Sequence, residues 1–181
     1  MSKLEIVAVL LGIVYVLLIS FSKRIGWIFG ILSCGIYVWL AYENQLYLQS
    51  ILQSVYVIMG VYGYFSWGNE QSKISSMQLK QHFQWGIPAV LIAVLLAYVF
   101  SFYGQKMPYL DAFITSFSIL ATYFATRMWI ENWLYWIVLN FLAAYMFWEQ
   151  GLLLTSGLFI INASLAVFGF FQWKKEWYEE L

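Results

Sequence analysis

The chain has 181 residues and no net formal charge; 63% of it is hydrophobic, 22% aromatic and only 10% charged, with a mean hydropathy of +0.74. A soluble domain carries about 25% charged residues, so this composition excludes a soluble globular fold and reads as an integral membrane protein. One cysteine, Cys34, and one histidine, His82, exclude a disulfide framework, a cysteine metal cage and a histidine-rich metal or proton-relay site.

Seven apolar segments are predicted, at 4–22, 25–43, 46–67, 85–103, 109–127, 132–149 and 151–173. Each is long enough to cross a ~30 Å hydrocarbon core at 1.5 Å rise per residue. The first ends in Ser20-Phe21-Ser22, a faint small-x-small pattern. Its length and Glu5 argue against a cleaved signal peptide, so it is read as a membrane helix. The third carries Gln49, Gln53 and Tyr56 on one helical face, with Gly60 and Gly63 continuing the stripe as close-packing positions. A polar stretch at 68–84 then forms the one sizeable hydrophilic linker, with His82 in it, before the fourth segment.

Helix five starts near Asp111, whose carboxylate suits a cap and the helix dipole, and continues through Thr115, Ser118 and Thr122 on one face. Helix six places Trp133, Trp136 and Asn140 on one face, and helix seven adds Asn162. Polar groups inside a membrane helix are costly unless they face the bundle or a wet cavity. Amides and hydroxyls can hydrogen-bond a ligand, and indole faces can hold a flat ring or a cation. Hydroxyls on helix five can instead bond their own backbone. Trp67 and Trp173, at helix ends, read as interfacial anchors, and Trp27 and Trp133 could be belt residues too. Gln53, Trp136 and Asn140 sit in mid-helix with no such structural reason, and are the strongest site candidates.

The chain also matches itself when shifted by 106 residues: Trp27 falls on Trp133 (133 − 27 = 106), Glu43 on Glu149, Leu48 on Leu154, Ser50 on Ser156, Gly63 on Gly169 and Trp67 on Trp173. Such a period marks a repeat architecture. Tyr56 then corresponds to Asn162 (162 − 56 = 106). The expected plan is all-α, seven transmembrane helices in a 3+1+3 arrangement. Residues 1–67 form the first three-helix repeat, 68–106 the linker and linking helix, 107–173 the second repeat and 174–181 a cytoplasmic tail. Helices one and five are separated by an even number of crossings, so the repeats run parallel, as in one class of transporters that bind substrate where repeats meet. Seven basic residues (Lys23, Arg24, Lys73, Lys80, Arg127, Lys174, Lys175) collect on one side and two (Lys3, Lys106) on the other. The positive-inside rule puts the N-terminus outside and the C-terminus in the cytoplasm.

Several runs carry a family resemblance: Tyr109-Leu110-Asp111-Ala112-Phe113, the run Glu131-Asn132-Trp133-Leu134-Tyr135-Trp136-Ile137 with Asn140, Gln53-x-x-Tyr56, and the Gly-aromatic-aromatic-x-Trp ends at 63–67 and 169–173. Together they resemble the PnuC family of bacterial nicotinamide riboside transporters, over essentially the whole chain. The resemblance implies a SWEET-like fold in the inner membrane, often a homotrimer, carrying nicotinamide riboside by facilitated diffusion with a cytoplasmic kinase trapping the product. Relatives in the family are expected to carry thiamine or other vitamins and nucleosides, and a SWEET-type sugar porter is the alternative within transport. On this reading Gln49, Gln53, Tyr56, Thr115, Trp133, Trp136, Asn140 and Asn162 bind the substrate. No cofactor or metal is expected, and no nucleophile–base pair for an enzyme can be assembled.

Overall fold

The structure, a computed structural model, describes residues 3–68, 73–102 and 106–179, with the side chain of Leu48 apart. The linker residues 69–72, the break at 103–105 and the last two residues lie outside the described residues, as does the Leu48 side chain used in the repeat alignment. The described residues form seven helices: α1 (Lys3–Ser20), α2 (Gly26–Glu43), α3 (Tyr47–Ser66), α4 (Leu79–Phe102), α5 (Pro108–Thr126), α6 (Asn132–Glu149) and α7 (Leu153–Glu179). By length and composition α1, α2, α4 and α7 are apolar enough to span a membrane. The remaining three have 18 to 20 residues, but Tyr, Trp, amide and hydroxyl side chains lower their hydropathy. The seven expected segments are all helical, and four of them are clearly apolar.

α1 packs on α2, α2 on α3, α3 on α5, α5 on α6, α6 on α7, and α7 back on α1. These six helices close a ring, and α4 packs outside it against α5.

Features 106 residues apart recur in detail. The Ser50 hydroxyl donates to the Val38 carbonyl (3.1 Å) and the Ser156 hydroxyl to the Ala144 carbonyl (2.8 Å), which joins α3 to α2 and α7 to α6. Ser22 and Met128 both take φ 54°, and Gln45 (φ 60°) has its counterpart in Gly151 (φ 78°). These left-handed residues turn the chain sharply between helices.

Trp27, Trp67, Trp133 and Trp173 meet at one end of the ring, the end where Lys23, Arg24 and Arg127 lie. Trp27 and Trp67 pack edge to face at 5.5 Å, Trp133 and Trp173 likewise at 5.5 Å, and Trp67 meets Trp173 at 5.8 Å. Trp67 and Trp173 are 8% and 0% exposed, so the interfacial-anchor expectation is overturned for both. Their indole N–H groups donate across the seams instead: Trp67 to the Ala125 carbonyl on α5 (3.1 Å), Trp173 to the Ile19 carbonyl on α1 (2.9 Å). Gly63 and Gly169 make the room, since a Cβ there would come within 2.5 Å of the Trp27 ring and 2.7 Å of the Trp133 ring. The close-packing reading of these glycines holds.

Three other expectations change. α4 begins at Leu79, so the polar stretch is shorter than its composition suggests and His82 is helical, with its Nδ1 3.1 Å from the Tyr135 hydroxyl. Part of the linker is tied down: Ser75 pairs with the α5–α6 turn through Met128 and Ile130, and Glu131 accepts from the Ser76 hydroxyl (2.6 Å) and the Met77 N–H (3.0 Å). The charged tail continues α7 without a break as far as Glu179.

Candidate functional site

A cavity of about 300 Å³ lies inside the ring, lined from α1, α2, α3, α5, α6 and α7. The volume is at the small end of the ~300–1,000 Å³ usual for ligand pockets. Its lining falls in pairs 106 apart, such as Ile19 with Ala125, Trp27 with Trp133, Gly30 with Trp136, Cys34 with Asn140 and Tyr56 with Asn162. Residues from both members of each such pair thus face the same cavity. At the basic end it stops at Trp27 and Trp133, with Trp67 and Trp173 packed behind them.

Six of the eight sequence-predicted site residues line this cavity: Gln53, Tyr56, Trp133, Trp136, Asn140 and Asn162. Helical spacing explains the grouping, since Trp133, Trp136 and Asn140 share one face of α6 and Gln53, Tyr56 and Gly60 one face of α3. The other two are elsewhere. Gln49, in the first turn of α3, is exposed, and the buried Thr115 shares a side-chain hydrogen bond with Asp111 away from the cavity. Asp111 does not act as the cap: the N-cap of α5 is Met107, and no side-chain cap bond is made. Ser118 sits in hydrogen-bonding contact with Tyr56, and the Thr122 hydroxyl donates to the Ser118 carbonyl (2.8 Å), the self-bonding expected of helix-five hydroxyls.

The lining adds residues that sequence reasoning passed over: Tyr15, Tyr37, Cys34, Trp27 and Asn132. The 106-residue shift pointed to two of them, Trp27 as the counterpart of Trp133 and Cys34 as that of Asn140. Tyr15 and Tyr37 carried no such signal, because a tyrosine in an apolar helix looks like any core aromatic.

None of the lining residues is charged. The site can hold a flat ring against indole and phenol faces and bond amide or hydroxyl groups, and it offers no fixed cation for a phosphate. Three buried side-chain atoms of lining residues have no protein partner: the indole nitrogens of Trp27 and Trp133 and the amide oxygen of Asn132. Such atoms cost about 1–3 kcal/mol each when nothing meets them.

A ring of membrane-length helices around a small, uncharged, aromatic cavity is the architecture of a solute transporter. Residues 2–175 match the family described as nicotinamide mononucleotide transporter, and the chain belongs to that family of membrane transporters. It is 24% identical to the nicotinamide riboside transporter PnuC of Escherichia coli (strain K12), over 96% of this chain and 85% of that one. It is also 23% identical to the riboflavin/roseoflavin transporter RibM of Streptomyces davaonensis, over 77% of this chain and 70% of the relative. Among solved structures, that of the vitamin B3 transporter PnuC superposes with a TM-score of 0.71 at 25% identity, covering 98% of this chain and 83% of that one.

Proposed function

We propose that this chain carries nicotinamide riboside across the bacterial inner membrane by facilitated diffusion, binding it in the central cavity. The observation that carries this reading is the uncharged aromatic and amide lining. A riboside has a cationic pyridinium ring for Trp136, Tyr56 and their neighbours, a term of ~2 kcal/mol when desolvated. Its carboxamide and hydroxyls suit Gln53, Asn140 and Asn162. The mononucleotide of the family's description carries a phosphate dianion, which this lining has no arginine or lysine to receive. Riboflavin, the cargo in the name of one relative, is a bulkier three-ring solute for a cavity of about 300 Å³.

The repeat reading belongs to the same proposal. Residues 1–67 and 107–173 act as parallel three-helix bundles joined by 68–106 in a 3+1+3 plan, followed by the segment 174–181. Support comes from the hydrogen bonds, left-handed turns and cavity pairs that recur 106 residues apart. The basic, tryptophan-sealed end faces the cytoplasm and the N-terminus faces out. A cysteine placed at the exposed Glu179 should then react with an impermeant maleimide in inside-out vesicles only. Reaction in right-side-out vesicles reverses the orientation.

No carboxylate lines the cavity to bind a coupling ion. A carrier of this kind equilibrates its solute and cannot concentrate it, so net uptake depends on a cytoplasmic kinase that phosphorylates the riboside. The homotrimer implied by the family resemblance completes the proposal. In liposomes, labelled nicotinamide riboside should move down its own gradient in both directions, and thiamine, riboflavin and sugars should compete weakly. Accumulation driven by a proton or sodium gradient, with no kinase present, would refute facilitated diffusion; failure of the riboside to cross at all would refute the substrate.

A further inference from the structure

Helices α1 and α2 pack closely, and one aromatic ring is set between them. Towards the basic end, a Cβ on Gly26 would lie 3.0 Å from the Leu18 Cβ and 3.1 Å from the Ile19 side chain. On the other side, the Ser33 hydroxyl donates to the Ala8 carbonyl at 2.8 Å, and a Cβ on Gly12 would lie 3.3 Å from the Ser33 oxygen. Between these contacts the Tyr15 ring of α1 rests on Gly30 of α2, where a Cβ would meet ring atoms at 2.8 Å, 3.1 Å and 3.3 Å. The ring thus takes the place of a side chain at position 30. Both residues line the cavity, as do Cys34 and Tyr56, which lie within electrostatic reach of the Tyr15 hydroxyl. Towards the basic end the ring packs against Trp27 at 5.6 Å. Trp27 is itself held by Trp67 at 5.5 Å and by the close backbone of Gly63.

The positions 106 residues further on show an exchange. Gly30 corresponds to Trp136, and Tyr15 corresponds to Ala121 (121 − 15 = 106), which is fully buried. In one case α1 carries the ring and α2 the small residue; in the other α6 carries the ring and α5 the small residue. A swap of this kind conserves volume, the condition under which packed sites tolerate exchange.

We propose that Tyr15, seated on Gly30, is a specificity-determining residue that sets the size of the cavity and confines it to a solute with one flat ring and a sugar. Room is the property at stake, because polar contacts alone do not turn away a larger solute. The α1–α2 contact is pinned on both sides of the pair, and Trp27 blocks the retreat. A group added at position 30 therefore drives the ring into the cavity, and atoms taken from Tyr15 enlarge it. This rests on the reading that the cavity holds nicotinamide riboside, and it concerns what the site refuses rather than what it bonds.

Calorimetry on the purified full chain reads both directions, with thermal unfolding as the folding control. Tyr15→Ala should bind riboflavin at least about 10-fold more tightly than the unaltered protein does, a gain that damage to the fold cannot produce. Gly30→Ala should bind nicotinamide riboside about 10-fold more weakly. In the Tyr15→Ala background the same methyl should change riboside affinity by no more than about 2-fold, the margin for uncoupled sites, because the ring it displaces is gone. If Gly30→Ala does not fold, the riboflavin gain decides alone; if Tyr15→Ala does not fold, Tyr15→Leu takes its place.

Unchanged riboflavin affinity in Tyr15→Ala, with riboside binding still weakened by Trp136→Ala, overturns the size role while the cavity stands. An equal loss from Gly30→Ala with and without the Tyr15 ring overturns it too, since position 30 then acts through something else. If Trp136→Ala also binds the riboside as wild type does, the cavity reading itself has failed and the size role falls with it.

Discussion

Helices α1–α3 and α5–α7, the two bundles of the proposed repeat, share local contacts and differ in what they put on the cavity wall. Their helix starts correspond at α2 and α6 (132 − 26 = 106) and at α3 and α7 (153 − 47 = 106). The serine bonds between helices, the glycine–tryptophan contacts and the indole bonds across the seams correspond as well. At the wall the match ends. Where the second group has Trp136 and Asn140, the first has Gly30 and Cys34. A Cβ on Gly30 would lie 2.8 Å from the Tyr15 ring, so the absent side chain is what lets Tyr15 reach the cavity. At these two positions the first group supplies room and the second supplies chemistry, and at Gln53 and its counterpart Phe159 the roles reverse. A small asymmetric solute needs that arrangement, because two identical walls would present each of its unlike ends with the same groups.

The largest effect should come from disturbing the shared frame. Gly63→Ala drives a methyl into the Trp27 ring, and Gly169→Ala drives one into the Trp133 ring, at 2.5 Å and 2.7 Å before relaxation. These rings are held by Trp67 and Trp173 and cannot swing clear. Each substitution should therefore cost about 1–3 kcal/mol of stability, the usual range for overpacking a core. Thermal unfolding in detergent reads it out. Similar losses at the two positions sharpen the view of one frame used twice, and a large loss at one with none at the other breaks it.

How much of this was visible in the sequence depends on which kind of signal each element left. The membrane helices and the 106-residue period were legible because hydropathy and repetition are sums over many residues. The α6 face was legible because Trp136 and Asn140 are large polar or amphipathic groups in a membrane helix, with no cheaper explanation. The burial of Trp67 and Trp173 was not: a tryptophan at a helix end has the same local sequence whether it anchors in headgroups or plugs a seam. Only the helices it meets decide, and Ile19 and Ala125 lie far from it in sequence. Gln49 and Thr115 erred in a different way. They keep the spacing of their stripes, but those stripes run beyond the cavity, and periodicity fixes a face without fixing a depth. The early start of α4 and the helical tail were hidden for a simpler reason, that polar residues lengthen a helix past the membrane without any apolar pattern to mark it.

The smallest effect is also the sharpest probe of the asymmetry. Asn140 and Cys34 occupy corresponding places on α6 and α2, and both line the cavity. Asn140 is 6% exposed and brings an amide with two donors and an acceptor; Cys34 brings a thiol, a weak donor with little capacity for directed bonding. Asn140→Ala should thus lower riboside affinity by ~0.5–1.5 kcal/mol, as for one hydrogen bond to an uncharged group. Cys34→Ala should change it by less than about 0.5 kcal/mol, under the range of an ordinary hydrogen bond. Calorimetry on the two variants, each with an unfolding curve to show that the frame is intact, makes the comparison. Equal losses would mean that the ligand engages both groups alike and that Cys34 is more than a place to leave room. A loss confined to Asn140 would show that at this pair of positions the binding group sits on α6, with its α2 counterpart kept small so that the solute can lie against it.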